Sequence, residues 1–136
     1  MKIQKSSEDY LETMLMLSEQ RGYIKSIDIA RHLDVTKPSV SYATKRLREN
    51  GYITMDDDGL IHLTETGMSI ATKIYDRHKM LSRFLNLLGI DKETADEDAC
   101  KIEHDISQET YEAICNHVNN FLADCPAMNH DEEPSA

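Results

Sequence analysis

A succession of helix signals and a turn signal near the start of the chain constrains the fold more than any other feature. Thr36 is a favourable helix N-cap, Pro38 fits the first turn that follows it, and Gly51 can end that helix. Two shorter helical patterns precede it. The segments 52–55 and 60–63 then flank an Asp-Gly turn, which is typical of a β-hairpin. Three helices followed by a hairpin predict a winged helix-turn-helix.

The other helices follow from apolar periodicity and capping residues. We predict a first helix capped by Ser6 or Ser7, a second at 27–33 capped by Ser26, a long helix at 65–88 capped by Thr64, a helix at 95–106, and a last helix capped by Ser107 and ending near residue 124. The long helix is predicted to bend or break near residues 76–78, where three charged or polar side chains follow one another. The predicted class is therefore mainly α with one small hairpin.

Charge is distributed unevenly along the chain. The net charge is −10, but residues 1–50 carry a balance of +2 and residues 51–136 a balance of −12. A mildly basic N-terminal half is compatible with DNA, whereas the acidic half can hold cations or form a solvated surface. The sequence contains no apolar run of about 18 residues and no signal peptide pattern. Three cysteines without framework spacing favour a reduced, cytoplasmic protein.

The third helix carries the side chains that we predict to contact DNA. They are Thr36, Lys37, Ser39, Ser41, Tyr42, Lys45, Arg46 and Arg48. Residues near the start of a recognition helix reach base edges in the major groove, and lysine and arginine mostly bind phosphate. The hairpin tip, residues 56–58, is a run of three aspartates that would repel phosphates, so we do not expect it to insert deeply. The alternative is that the basic residues form an ordinary solvated helix face.

The segment 100–104 contains a possible metal site. Cys100, Glu103 and His104 stand at positions i, i+3 and i+4, which share one face of a helix. A thiol, a carboxylate and an imidazole together suit a transition-metal ion. With Asp9 and Glu12 on the first helix and His78 on the long helix, the candidate ligands number six. Each also has an ordinary interpretation, such as a carboxylate near a helix start or a small buried thiol.

Taken together, the landmarks of the chain resemble the diphtheria toxin repressor family of metal-dependent regulators, and most closely its short manganese transport regulator branch. The matching segments are 8–12, 28–30, 60–64 with Gly67, 77–78, 84–85, 88–89 and 102–104. The resemblance covers nearly all of residues 5–125. It implies a winged helix-turn-helix domain at 1–70 and a helical metal-binding and dimerisation domain at 71–125. The acidic composition of residues 126–136 predicts a disordered tail. Longer members carry a third, barrel-like domain, for which 136 residues leave no room.

By position, five residues match metal ligands of the manganese branch: Asp9, Glu12, His78, Glu103 and His104. Cys100 departs from that branch, which has glutamate there. The iron-responsive branch has cysteine at this position but methionine in place of Asp9. The resemblance therefore implies Mn²⁺ or Fe²⁺ as cofactor, with Co²⁺, Ni²⁺ or Zn²⁺ as possible substitutes, and leaves open whether one or two ions bind.

The predicted function is a metal-dependent transcriptional repressor, a homodimer in which a divalent metal fixes the two recognition helices for operator DNA at metal-uptake genes. We expect no membrane partner and no small organic substrate. One alternative is a winged-helix thiol sensor with Cys100 as its reactive group, although nearby acidic residues disfavour the thiolate. The other alternative, a metalloenzyme, lacks a general base and leaves the recognition helix unexplained.

Overall fold

The computed structural model describes residues 5–123, which form six helices and one hairpin. In chain order these are α1 (Lys5–Arg21), α2 (Ser26–Leu33), α3 (Lys37–Glu49), β1 (Ile53–Met55), β2 (Ile61–Leu63), α4 (Glu65–Leu87), α5 (Lys92–Ile102) and α6 (Gln108–Ala123). The chain divides between Asp76 and Arg77 into two compact units. The first unit contains α1–α3 and the hairpin, which is the predicted winged helix-turn-helix.

The first unit is organised around the apolar face of α1. The buried core includes Leu11, Met14, Leu15 and Leu17 of α1, Ile29 of α2, Val40 and Leu47 of α3, and Ile53 and Ile61 of the hairpin. Burying one large aliphatic side chain stabilises a fold by about 1.5–3 kcal/mol. The predicted apolar periodicity of α1 is therefore confirmed, and it positions the three helices and the hairpin around one core.

The local signals around α3 act as the sequence predicts. Thr36 is the N-cap, and its Oγ1 accepts a hydrogen bond from the main-chain N–H of Ser39 at 3.2 Å. Pro38 lies in the first turn, where a missing N–H removes no helical hydrogen bond. After α3 the chain turns at Gly51, whose φ of +80° is readily adopted only by glycine. These signals fix both ends of the helix.

The hairpin pairs β1 and β2 in antiparallel register. Ile53 lies opposite Leu63, and Met55 lies opposite Ile61. Ile53 and Ile61 are buried, whereas Thr54 between them in sequence is exposed, because successive residues of a strand point to opposite faces. Gly59 takes a positive φ of +82° in the turn.

Thr64 connects the hairpin to α4. Its Oγ1 lies 2.7 Å from the main-chain oxygen of Gly51 and 3.0 Å from that of Tyr52. The same atom accepts the main-chain N–H of Gly67 at 3.1 Å, so the predicted cap is confirmed. The start of α4 is thereby attached to the segment between α3 and β1.

Several predicted boundaries were wrong. Helix α1 already includes Ser6 and Ser7, so neither is its N-cap, and Lys25 rather than Ser26 occupies the N-cap position of α2 without a side-chain cap. Helix α4 is continuous through residues 76–78, since charged side chains alone do not break a helix and that stretch contains no proline or glycine. Helix α5 begins earlier than predicted, at Lys92, and ends earlier, at Ile102.

The second unit has its own buried residues. Leu81 of α4, Ala95 and Ala99 of α5, and Val118 of α6 are all fully buried. Ser107 caps α6 as predicted, since its Oγ accepts the main-chain N–H of Thr110 at 3.0 Å. The predicted disordered tail at 126–136 lies outside the described residues. Among residues 5–123, no helix has both the length and the apolar character that a membrane span requires.

Candidate metal centre and nucleic-acid interface

The eight residues predicted to contact DNA are all exposed. The inward side of α3 carries Val40, Thr44 and Leu47, which are buried, and Ala43 packs partly against the same core. The eight exposed residues predicted to contact DNA are Thr36, Lys37, Ser39, Ser41, Tyr42, Lys45, Arg46 and Arg48. Their placement leaves them available to a duplex, and their contacts with DNA stay a prediction.

Two pairs on α3 already interact with each other. The hydroxyl oxygens of Thr36 and Ser39 lie 2.9 Å apart and belong to the helix cap, which favours a structural role for both. Arg46 Nη1 lies 3.5 Å from the Tyr42 hydroxyl, and its guanidinium carbon lies 5.8 Å from the ring centre. A guanidinium within about 6 Å of a ring centre is attracted by the face of that ring. Tyr42 is 64% exposed, so this pair projects from the helix.

At the hairpin tip, the side chain of Asp56 forms hydrogen bonds within the turn. Asp56 Oδ1 accepts the main-chain N–H groups of Asp58 and Leu60, both at 2.9 Å, and its Oδ2 lies 3.0 Å from His62 Nε2. The hydrogen bond from His62, followed by those from the main chain, lowers the pKa of Asp56. Asp56 is therefore a turn-forming residue, and sequence reasoning missed its pairing with His62 because the hairpin register was needed to find it.

In the first unit, Asp9 and Glu12 form a carboxylate pair on α1. Both are partly buried, and one oxygen of each lies within 4.8 Å of the other. This is the spacing that i and i+3 positions give on a helix. Burial raises the pKa of Tyr75, and the carboxylates of Glu19 and Glu12 raise it further. The negative charge of Glu12 thus acts on a partly buried part of this unit.

In the second unit, the carboxylate of Glu103 lies between two imidazoles. Glu103 is 0% exposed. Its Oε1 is 2.8 Å from His78 Nδ1, and its Oε2 is 3.4 Å from His104 Nε2, whose side chain is 1% exposed. Burying a carboxylate is costly unless cations or donors compensate for it. Nitrogen and oxygen donors this close together, and this well shielded from water, fit a divalent transition metal.

Cys100 is more exposed than the residues of this buried group. Cys100 is exposed on α5, whereas Glu103 is the C-cap residue after Ile102 and His104 lies in the following turn. The prediction that one helix includes all three residues was therefore wrong, because α5 ends at Ile102. Cys100 stays a predicted ligand.

Asp96 lies close to this group in the second unit. It accepts a short hydrogen bond from Ser82 and pairs with Lys92 Nζ at 3.1 Å. Burial raises the pKa of Asp96, but the hydrogen bonds from Ser82 and Lys92 and the charge of His78 outweigh burial and lower it. Asp96 is thus held as a carboxylate near His78. Only the packing of α4 against α5 brings Asp96 close to Ser82 and His78. Local sequence patterns therefore could not predict this proximity.

Two consecutive parts of the chain match the two domains of one known family. The model described as the iron-dependent repressor N-terminal DNA-binding domain matches residues 2–61, and the model described as the iron-dependent repressor metal-binding and dimerisation domain matches residues 64–132. The chain belongs to the iron-dependent repressor family. This finding confirms the resemblance to the diphtheria toxin repressor family. The protein is a metal-dependent transcriptional regulator that binds operator DNA and forms a homodimer.

Similar chains include regulators from archaea and bacteria. An uncharacterised HTH-type transcriptional regulator of Methanocaldococcus jannaschii is 39% identical over 118 residues, covering 85% of this chain and 94% of the relative. The HTH-type transcriptional regulator MntR of Bacillus subtilis is 34% identical over 119 residues, covering 88% of this chain and 84% of MntR. These matches support the manganese-regulator branch. The named relatives are all transcriptional regulators.

Solved structures give the same assignment. The manganese regulator SloR is 30% identical, with a TM-score of 0.73, and IdeR of T. acidophilum is 26% identical, with a TM-score of 0.75. Each match covers 88% of this chain but 55% of the solved chain, so this protein spans about half the length of those two. The family match gives no support to the thiol-sensor alternative, since both family models describe an iron-dependent repressor.

Proposed function

We propose that Mn²⁺ or Fe²⁺ is the co-repressor of this regulator, and that six side chains hold it: Asp9, Glu12, His78, Cys100, Glu103 and His104. The observation that carries this proposal is the fully buried carboxylate of Glu103 between the imidazoles of His78 and His104. The DNA-binding activity of the family suggests a cytoplasmic protein. In this proposal the chain represses metal-uptake genes when the metal is abundant.

The donor set supports a borderline cation. Carboxylate oxygens suit Mn²⁺ and Fe²⁺, and imidazole nitrogens suit most divalent transition metals. A proton on Nδ1 of His78, directed at Glu103, places the ring's lone pair on Nε2. This is the arrangement by which carboxylates commonly orient metal-binding histidines. We favour manganese because five of the six proposed ligands match the manganese branch by position, and because SloR is named as a manganese regulator.

The proposed ligands belong to both units. Asp9 and Glu12 lie on α1 of the DNA-binding unit, while Glu103 and His104 lie in the second unit. Bound metal would supply the positive charge that lets these carboxylates share one site. The carboxylates of α1 would otherwise repel that of Glu103 and favour arrangements that do not match the operator. Ligands from both units therefore couple metal binding to the spacing of the recognition helices, typically by about 1–3 kcal/mol.

Metal stoichiometry tests the proposed site. Anaerobic equilibrium dialysis of the metal-free chain against Mn²⁺ and Fe²⁺ should give one or two ions per chain. One ion would fit a single site at Asp9, Cys100, Glu103 and His104, and two ions would fit a neighbouring site completed by Glu12 and His78. Absence of saturable binding of both ions would refute the proposal.

Cys100 tests what sets the choice of metal. Substituting Cys100→Glu should shift the ratio of Mn²⁺ to Fe²⁺ affinity toward Mn²⁺ by about tenfold, which equals about 1.4 kcal/mol, because a hard oxygen replaces a soft sulfur. Competition dialysis measures this ratio. Cys115→Ser on α6 is the control and should leave it unchanged. An unchanged ratio in Cys100→Glu would remove Cys100 from the proposed ligands.

Arg46 tests the DNA-binding face. Charge reversal in Arg46→Glu should weaken binding to every DNA duplex, because a phosphate contact is lost. For the same reason, the slope of log DNA affinity against log salt concentration should become shallower by about one. Fluorescence anisotropy at several salt concentrations measures both effects. Lys73→Glu makes the same charge change on an exposed residue of α4. Equal losses of DNA affinity in Arg46→Glu and Lys73→Glu would indicate a general effect of charge. The DNA-binding face would then lie elsewhere.

A further inference from the structure

The guanidinium of Arg77 contacts several groups at the junction of α5 and α6. Its Nη1 donates to the main-chain oxygens of Glu103 at 3.0 Å and Ile106 at 3.1 Å. Its Nη2 donates to Gln108 Oε1 at 2.8 Å. The guanidinium carbon lies 5.1 Å from the ring centre of Tyr111. One side chain of α4 thus holds the end of α5, the connecting segment and the start of α6.

These contacts satisfy groups that a helix end leaves exposed. The last carbonyls of a helix have no intrahelical partner, and they carry partial negative charge that attracts cations. Glu103 is the C-cap residue of α5, so Arg77 meets its main-chain oxygen where a donor is needed. A planar fork can bridge two carbonyl groups at once, and stacking on Tyr111 restricts its rotation. The connection between α5 and α6 is therefore fixed to α4 at several points.

Arg77 and His78 act on the same residue. Arg77 holds the main-chain oxygen of Glu103 at 3.0 Å, while His78 Nδ1 lies 2.8 Å from its carboxylate. Two successive residues of α4 thereby fix both the backbone and the side chain of Glu103. His104, the next residue, follows from the same anchored backbone. The position of both proposed ligands therefore depends on the guanidinium, which itself is not a ligand.

We infer that Arg77 is a positioning residue for the metal site, and that it sets metal affinity by preorganising the segment 103–107. This inference rests on the proposed function. Outer partners of metal ligands typically change metal affinity by about 10- to 100-fold when removed. Arg77→Gln should therefore raise the Mn²⁺ dissociation constant within that range. Arg77→Lys should not restore affinity, because an ammonium keeps the charge but lacks the planar fork.

The experiment compares affinity with stability in the full-length chain. Mn²⁺ dissociation constants and denaturant unfolding are measured for wild type, Arg77→Gln, Arg77→Lys and two controls. Lys73→Gln removes a positive charge from an exposed position of α4, and Val118→Ala removes core volume from the second unit at a fully buried position. Hydrogen exchange of the metal-free proteins reports on residues 103–107 independently of metal.

The inference predicts faster exchange at 103–107 and weaker Mn²⁺ binding in both Arg77 variants, with neither control reproducing this pair of changes. Val118→Ala and Arg77→Gln are compared at equal loss of unfolding free energy. If Val118→Ala then loses as much Mn²⁺ affinity as Arg77→Gln, Arg77 acts only through stability and the inference is overturned. Wild-type affinity in Arg77→Gln would also overturn it while leaving the proposed function intact. Absence of Mn²⁺ binding by the wild type would instead overturn the proposed function together with the inference.

Discussion

Substituting Glu103→Gln should abolish metal-dependent DNA binding while the chain stays folded. Glutamine preserves the shape of the side chain but removes the negative charge that lies buried between His78 and His104. Loss of a ligand should weaken metal binding by at least about 100-fold, the upper end of the range for outer partners. Operator binding should then be the same with metal and with chelator.

A matched control separates this effect from general loss of acidic charge. Glu97→Gln makes the same chemical change at an exposed position of α5 and should retain the metal response. Circular dichroism and thermal unfolding establish that both variants fold. If Glu103→Gln binds metal and DNA like the wild type, the buried carboxylate has only a structural role.

Substituting Gly67→Ala should strongly destabilise the first unit. A Cβ at this position would lie 2.0 Å from the main-chain oxygen of Tyr52 and 2.9 Å from its carbonyl carbon. Backbone atoms cannot rotate away as a side chain can, so the start of α4 would have to move. We expect the free energy of unfolding to fall by about 3 kcal/mol, the upper end of the usual cost of overpacking.

Within a helix, alanine is normally more favourable than glycine by about 1 kcal/mol. A fall in the free energy of unfolding of Gly67→Ala would therefore be opposite to the usual effect of this substitution. Ser69→Ala, at an exposed position of the same helix, is the control and should change stability little. Denaturant unfolding measures both variants. Equal or greater stability of Gly67→Ala would show that α4 does not lie against Tyr52 as described.

The sequence predicted the winged helix-turn-helix well because its signals are local. Thr36 caps α3, Gly51 follows its end with a positive φ, and the Asp-Gly turn lies between β1 and β2. Each of these depends on a few neighbouring residues, so a single sequence is enough to find them. The apolar face of α1 was found for the same reason, since helical periodicity reports burial directly.

The second unit was harder to predict because its important features depend on packing. The end of α5 at Ile102 is set by the C-cap Glu103, whose main-chain oxygen is held by Arg77 from 26 residues away. No local pattern reports such a contact. Of the three residues at positions 100, 103 and 104, Glu103 and His104 have buried side chains. Their spacing could not show that Cys100 would be exposed, because exposure depends on which parts of the chain pack against α5.

The central claim is that metal binding and DNA binding are coupled in this chain. Its most direct test is an anaerobic titration of the metal-free protein with Mn²⁺ and with Fe²⁺, followed by binding to DNA from its own promoter. The account predicts that at least one of these ions raises DNA affinity by about 5- to 150-fold, the range that typical coupling energies give. Equal DNA affinity with and without each ion would contradict it.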